Sequence, residues 1–269
     1  MRSRVYNSET IQQLPLSLNK EWKEANTDGT YAAASILGAN TKPHHGLLVV
    51  KAPHRTEHLV LLSGLEETLL IGDRSYPLST HLYEERIFPD GYVRIENFYR
   101  KPFPSWIFRV ENLAFLKIVM IIEGQKTVLI RYQLLSSYGD FVRLIVRPIT
   151  AFRPSTQITR MPDRLMPQLE VAAQTIELKS QNRYPSMRFF HNSAVVDREG
   201  KWFRDQVYGK HFAKNGVVRK EDLYSPCSFH YAFNEEDGVY LCVTTEKKRI
   251  IDPFLLELQE KRRRHVQLS

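Results

Sequence analysis

Thr127-Val-Leu-Ile-Arg-Tyr-Gln-Leu134 is built of β-branched, aliphatic and aromatic residues, which suit a pleated, half-buried surface. It predicts a strand over 126–135. Similar short runs recur on both sides. Upstream stand His45-Gly-Leu-Leu-Val-Val50, then His58-Leu-Val-Leu-Leu-Ser63 after the turn-like Ala52-Pro-His-Arg55. Glu67-Thr-Leu-Leu-Ile71 then meets Gly72-Asp73, a hairpin turn, and Tyr76-Pro-Leu78. Further strands are predicted over 93–98, 106–110, 114–122 and 142–148. Beyond Ala151 they fall over 175–178, 187–192, 194–196, 228–233 and 238–244, with Asp197-Arg-Glu-Gly200 as a turn. Strands spaced by roughly ten residues, with few helices between them, predict an all-β fold: a large antiparallel sandwich, about twice an immunoglobulin domain.

The carboxyl end reads differently. Asp252-Pro253 is a helix start, with Asp as N-cap and Pro in the first turn. Phe254, Leu255 and Leu258, then Arg262 and Val266, follow at helical spacing. The stripe is apolar, and the cations near the helix end suit its dipole. The organisation expected is an amino-terminal extension over 1–20, a β domain over 21–250, and a linker helix with a basic tail over 251–269.

The 269 residues are 42% hydrophobic and 25% charged, an ordinary globular composition. Two cysteines, Cys227 and Cys242, read as small core residues, not as a disulfide framework. Met1-Arg-Ser-Arg-Val-Tyr6 lacks the apolar stretch of a signal peptide. The apolar runs near Leu47, Leu59 and Ile118 are strand-sized and too short to span a bilayer. The expectation is a soluble, cytoplasmic protein with no membrane partner. The net charge of +8 is spread along the chain except at Lys261-Arg-Arg-Arg264. Interleaved acids make this a solvated basic surface and argue against nucleic acid as the partner.

Gly38-Ala-Asn-Thr-Lys-Pro-His-His-Gly46 sets polar donors and acceptors in a tight loop before a buried strand. Side chains of this kind can grip a polyhydroxylated ligand in fixed geometry, or simply close a turn. The candidate carbohydrate contacts are Asn40, Thr41, Lys42, His44 and His45, with Trp106 as an aromatic face. Trp22 and Trp202 offer similar faces or core mass. The spacing of His44, His45, His54 and His58 fits no standard metal site, and no pattern calls for a cofactor. Acid–base cleavage by paired carboxylates needs the two to flank one bond. The doublets Glu66-Glu67 and Glu84-Glu85 do not provide them from a strand, where neighbours point to opposite faces. No residue is therefore assigned a catalytic role.

The loop resembles the Gly-x-Asn-Thr-Arg-x-Tyr-His-Gly stretch of bacterial and archaeal-type glycogen debranching enzymes. Similar stretches follow in order: Leu65-Glu-Glu-Thr-Leu69, Tyr76-Pro-Leu-Ser-Thr80, Phe88-Pro-Asp-Gly-Tyr92, Phe98, Pro102-Phe-Pro-Ser-Trp106, Arg147-Pro-Ile-Thr-Ala-Phe-Arg153, Trp202-Phe-Arg204 and Glu221-Asp-Leu-Tyr-Ser-Pro226. The resemblance runs from about Trp22 to the terminal helix, and it is the ordered set, not one motif, that is specific. It implies the amino-terminal β-supersandwich of an amylo-α-1,6-glucosidase, in which the hydrolytic carboxylates belong to a following α/α-barrel of helical hairpins. The chain stops at the connecting helix, so it is expected to be inactive alone. The implied partners are that barrel, in cis or in trans, and an α-glucan such as glycogen or a maltooligosaccharide. Two segments depart from the pattern. Lys42 and His44 stand where the family has Arg and Tyr, and Lys lacks the planar fork of Arg. Thr27 and Thr30 stand where glycines are expected. A stand-alone glucan-binding module is the alternative. A scaffold or nucleic-acid-interacting protein using the basic tail is another.

Overall fold

The strand read from 127–134 is Thr127–Ser136, central in a nine-stranded antiparallel sheet. The computed structural model describes residues 5–52, 57–136, 141–161, 167–172, 175–180, 184–208, 218–233, 238–247 and 252–266. Thr127–Ser136 pairs with Leu113–Ile121 on one side and Val239–Thr244 on the other. Its inward residues Val128, Ile130 and Tyr132 are fully buried in the main core, and Leu129 faces the opposite side. That alternation is the period of a strand.

The second sheet holds ten strands and is centred on two long ones, His58–Ile71 and Val142–Pro154. They pair antiparallel along most of their length, from Val142 opposite Ile71 to Pro154 opposite Leu59. The runs at 58–63 and 67–71 are thus one fourteen-residue strand. It turns at Gly72-Asp73 into Arg74–Pro77, as expected. The two sheets face each other across one large apolar core. This is the large antiparallel sandwich that the strand spacing predicts, with a helix at the carboxyl end.

Several elements differ from the sequence reading. The predicted strand over 93–98 begins at Ile95, because Gly91–Arg94 forms a 3-10 turn. Residues before Trp22 also join the sandwich. Val5–Asn7 adds an edge strand beside Ile95–Tyr99, and two short helices, Ser8–Gln12 and Leu14–Asn19, bury Ile11 and Leu18. Asn7 caps the first of these by accepting the Thr10 amide.

The terminal helix, Pro253–Val266, starts where the sequence places it, and Asp252 accepts the Phe254 amide at 2.8 Å. Its orientation is the reverse of the usual amphipathic rule. Pro253, Glu257 and Glu260 are buried and Leu256 packs on the outer face of the nine-stranded sheet, beside Phe103, Met120 and Leu129. Phe254, Leu255 and Leu258 are 39%, 51% and 43% exposed. Charges hold the helix down. Arg131 pairs with Glu257 at 2.5 Å, and Glu260 accepts the Glu123 amide at 2.9 Å. Arg264 pairs with Glu24 and donates to the Pro102 carbonyl. Of the basic run, Lys261, Arg263 and Arg264 are each ion-paired. The side chain of Val266, and His54, lie outside the described residues.

Both cysteines are free and buried. Among the described residues no helix is long and apolar enough to cross a membrane.

Candidate functional site: a gap in the ten-stranded sheet

The Gly38–Gly46 loop is placed by two indoles. Trp22 donates to the Ser35 carbonyl at 3.1 Å, and Trp106 donates to the Ile36 carbonyl at 2.8 Å. The rings meet edge to face, with centroids 5.4 Å apart. Each belongs to a different sheet, so the loop entrance is fixed to both. Trp106 is therefore core, 3% exposed, and presents no face to solvent.

Inside the loop, His45 is the brace. Its Nδ1 accepts the Thr41 amide at 3.2 Å, and its Nε2 lies 3.5 Å from the Glu21 carboxylate. Accepting at Nδ1 requires the proton to sit on Nε2, facing Glu21. Lys42 meets the same carboxylate at 2.7 Å. Hydrogen bonding from His45, with Lys42 beside it, holds the Glu21 pKa down at about 2 despite partial burial. His44 is exposed, and its carbonyl accepts from Tyr31 at 3.0 Å. Partial desolvation of the ring against the loop, helped by neighbouring His45 and Lys42, lowers the His44 pKa. Thr41 and His45 are both 1% exposed. They shape the loop, while Lys42 and His44 form its solvent-facing rim.

Asn40 points the other way. Its amide donates to the Ser63 carbonyl at 2.8 Å and to the Ser63 hydroxyl at 3.1 Å. The reason lies in the sheet. Along His58–Ile71, the neighbour Gly46–Lys51 reaches only as far as Leu62, and the next neighbour on that side, Arg74–Pro77, begins opposite Thr68. Between them the strand edge has no ladder partner. Buried backbone groups must still be satisfied, and side chains do it. Asn40 takes the Ser63 carbonyl. Ser79 donates to the Leu65 carbonyl at 3.0 Å and accepts the Glu67 amide at 2.7 Å.

This gap opens on a cavity of about 40 Å³ between the sheets. Asn40, Glu67, His81, Trp106, Lys117 and Gln206 are among its lining. Glu67 projects inward, while Glu66 points outward to Lys201. Glu67 bonds Lys117 at 2.6 Å and takes a hydrogen bond from Tyr132, with the Ser79 hydroxyl 3.3 Å away, so its carboxylate ties the two sheets together. His81 packs edge to face on Phe203. Burial, reinforced by Lys201 and Lys117, pushes its pKa down to about 4. The buried Nε2 of His81 has no hydrogen-bond partner. Gln206 reaches toward Tyr83, but its Nε2 has no partner at hydrogen-bonding geometry.

Nothing in the sequence flags His81 or Gln206. They join Asn40 and Trp106 only through the fold. The upstream loop settles a second point. Gly29 has φ +80° and is the left-handed position of its turn, so Thr27 and Thr30 need no such conformation. Asn26 accepts the amides of Asp28 and Thr30 at 3.1 Å and donates to Ile122 and Gln125 carbonyls. Another buried carboxylate, Glu221, is held bidentately by Arg153 at 2.6 and 2.8 Å and by Tyr208. Among the described residues, no group of three or more potential metal ligands comes together.

Among solved structures, the chain is similar to the GalM/aldose epimerase homologue from C. elegans. The identity is 12% and the TM-score 0.44, covering 83% of this chain and 98% of that one. No match was found among curated proteins. The family model for the glycogen debranching enzyme N terminal matches residues 20–240, which takes in the ten-stranded sheet, most of the nine-stranded one, the loop and the sheet gap. The chain belongs to the glycogen debranching enzyme N-terminal family.

Proposed function

We propose that this chain is a non-catalytic, cytoplasmic domain that supports an α/α-barrel glucosidase domain and contributes a contact to its α-glucan. The observation that carries the reading is the inverted terminal helix, which docks on the sheet by charge and leaves Leu255 and Leu258 facing outward, with the partly exposed Phe254 beside them packed edge to face on Tyr240. Exposed apolar stripes of this kind mark surfaces that another body covers. The two carboxylates buried deepest are held structurally: Glu67 by Lys117 and Tyr132, and Glu221 by Arg153 and Tyr208. The glucan contact is assigned to the rim residues Lys42 and His44, with Thr41 and His45 holding the rim in place. Ion pairing of Lys261, Arg263 and Arg264 counts against nucleic acid as the partner.

Two measurements test this. Mixing the chain with the helical-barrel portion of a debranching enzyme should give a complex, and Leu255→Ser/Leu258→Ser should weaken it without altering the fold. On a glycogen-affinity gel, the chain should be retarded, and Lys42→Ala/His44→Ala should reduce the retardation. An unretarded chain that also ignores the barrel would overturn the reading. Retardation without barrel association would favour the stand-alone module.

A further inference from the structure

We propose that the cavity at the sheet gap is a pocket for a neutral hydroxymethyl group, the primary-alcohol arm of a hexose. The inference rests on the glucan reading for the identity of the ligand, but it uses different residues from the Lys42–His44 rim.

Size sets the first limit. A space of about 40 Å³ holds roughly three waters. It excludes a pyranose ring and admits a two-atom arm. Charge sets the second. Glu67 and Lys117 neutralise one another at 2.6 Å, and His81 is uncharged at neutral pH because its ring is buried among cations. A phosphate or carboxylate would find no net counter-charge, and burying an unpaired charge is costly. Hydrogen bonding then selects a hydroxyl. Two buried nitrogens, His81 Nε2 and Gln206 Nε2, lack partners. Buried polar atoms in folded proteins are nearly always satisfied by protein, water or ligand. A hydroxyl offers one donor and two acceptor sites, so it can accept from the Gln206 amide and donate to His81 when the latter is deprotonated at Nε2. The apolar lining of Leu65, Trp106 and Val207 suits the methylene. Access is on the loop side, where Gly38 is exposed and Asn40 and Gly64 are half-exposed.

The pocket carries its own reporters, because Trp22 and Trp106 line it. Trp202 instead packs at a tilt against Tyr224, so a Trp202→Phe background isolates the two. In that background methyl α-glucoside should give a saturable change in tryptophan fluorescence. Its 6-deoxy analogue should bind about tenfold more weakly or worse, since the two nitrogens stay unpaired. His81→Phe should remove the response, and Gln206→Leu should lessen it, in proteins whose circular dichroism is unchanged. Equal affinity for the two glucosides, or silence toward both, overturns the pocket. The rim reading fails separately. Glycogen retardation left unchanged by Lys42→Ala/His44→Ala, with 6-deoxy discrimination intact, would sink the rim and keep the pocket; retardation lost in that variant, with the two glucosides bound alike, would sink the pocket and keep the rim.

Discussion

Asn40 donates its side-chain amide to the main-chain carbonyl of Ser63 at 2.8 Å and so replaces a missing strand at the edge of the sheet gap. The bond joins the loop to the cavity wall, which Asn40 and Ser63 both line.

Asn40→Ala leaves the Ser63 carbonyl, in a residue only 1% exposed, without this donor. An unsatisfied buried group costs about 1–3 kcal/mol. Urea denaturation should show a loss of that size with an unchanged m-value. A neutral result would mean that water takes over the carbonyl and that the loop is not fixed through it.

Lys117→Met strips the cation from Glu67 while leaving the carboxylate buried. Breaking a buried pair in this way costs about 3–5 kcal/mol. Adding Glu67→Gln should restore much of the loss, because the amide oxygen can still accept from Tyr132 or Ser79. If the single and double variants are equally unstable by chemical denaturation, charge is not what links the sheets here.

Glu21 has a folded pKa of about 2 against an ordinary value of 4.5. A depressed carboxylate stabilises the fold above the unfolded pKa, and that contribution is lost as pH falls through the folded pKa. The wild type should therefore lose stability relative to Glu21→Gln as pH falls from about 4.5 to about 2. Parallel pH profiles for the two proteins would show that His45 and Lys42 do not hold the carboxylate in its charged form.

A Cβ at Gly91 would lie 2.1 Å from the Leu78 carbonyl carbon and 2.6 Å from the Ser79 carbonyl oxygen. Both atoms are backbone, so nothing flexible can yield. Gly91→Ala should displace the segment that presents Ser79 to Glu67, at a cost of at least about 3 kcal/mol by thermal or chemical unfolding, as expected for overpacking against main chain. An unaltered midpoint would mean that this contact is not tight in solution.

The sheets were legible because alternation is local. Thr127–Ser136 announces itself in its side chains, and Glu66-Glu67 splits between surface and core as strand geometry requires. Lys201–Tyr208 and Arg219–Ser225 were not legible, since their many charged and polar residues mask the period. The gap was invisible for another reason: it depends on where Gly46–Lys51 parts from a longer partner, which no single segment encodes. The helix start was readable from Asp252-Pro253, but its direction was not. Glu257 and Glu260 face inward because Arg131 and the Glu123 amide await them from more than a hundred residues away.

The most direct test of the central claim is glucose release from a branched limit dextrin by the purified chain. The reading predicts background release from the chain alone, and turnover only when a helical-barrel domain supplies the two positioned carboxylates that glycoside hydrolysis requires. Release well above background by the chain alone, abolished by changing one of its own Asp or Glu residues, would place the chemistry in this domain and contradict the reading.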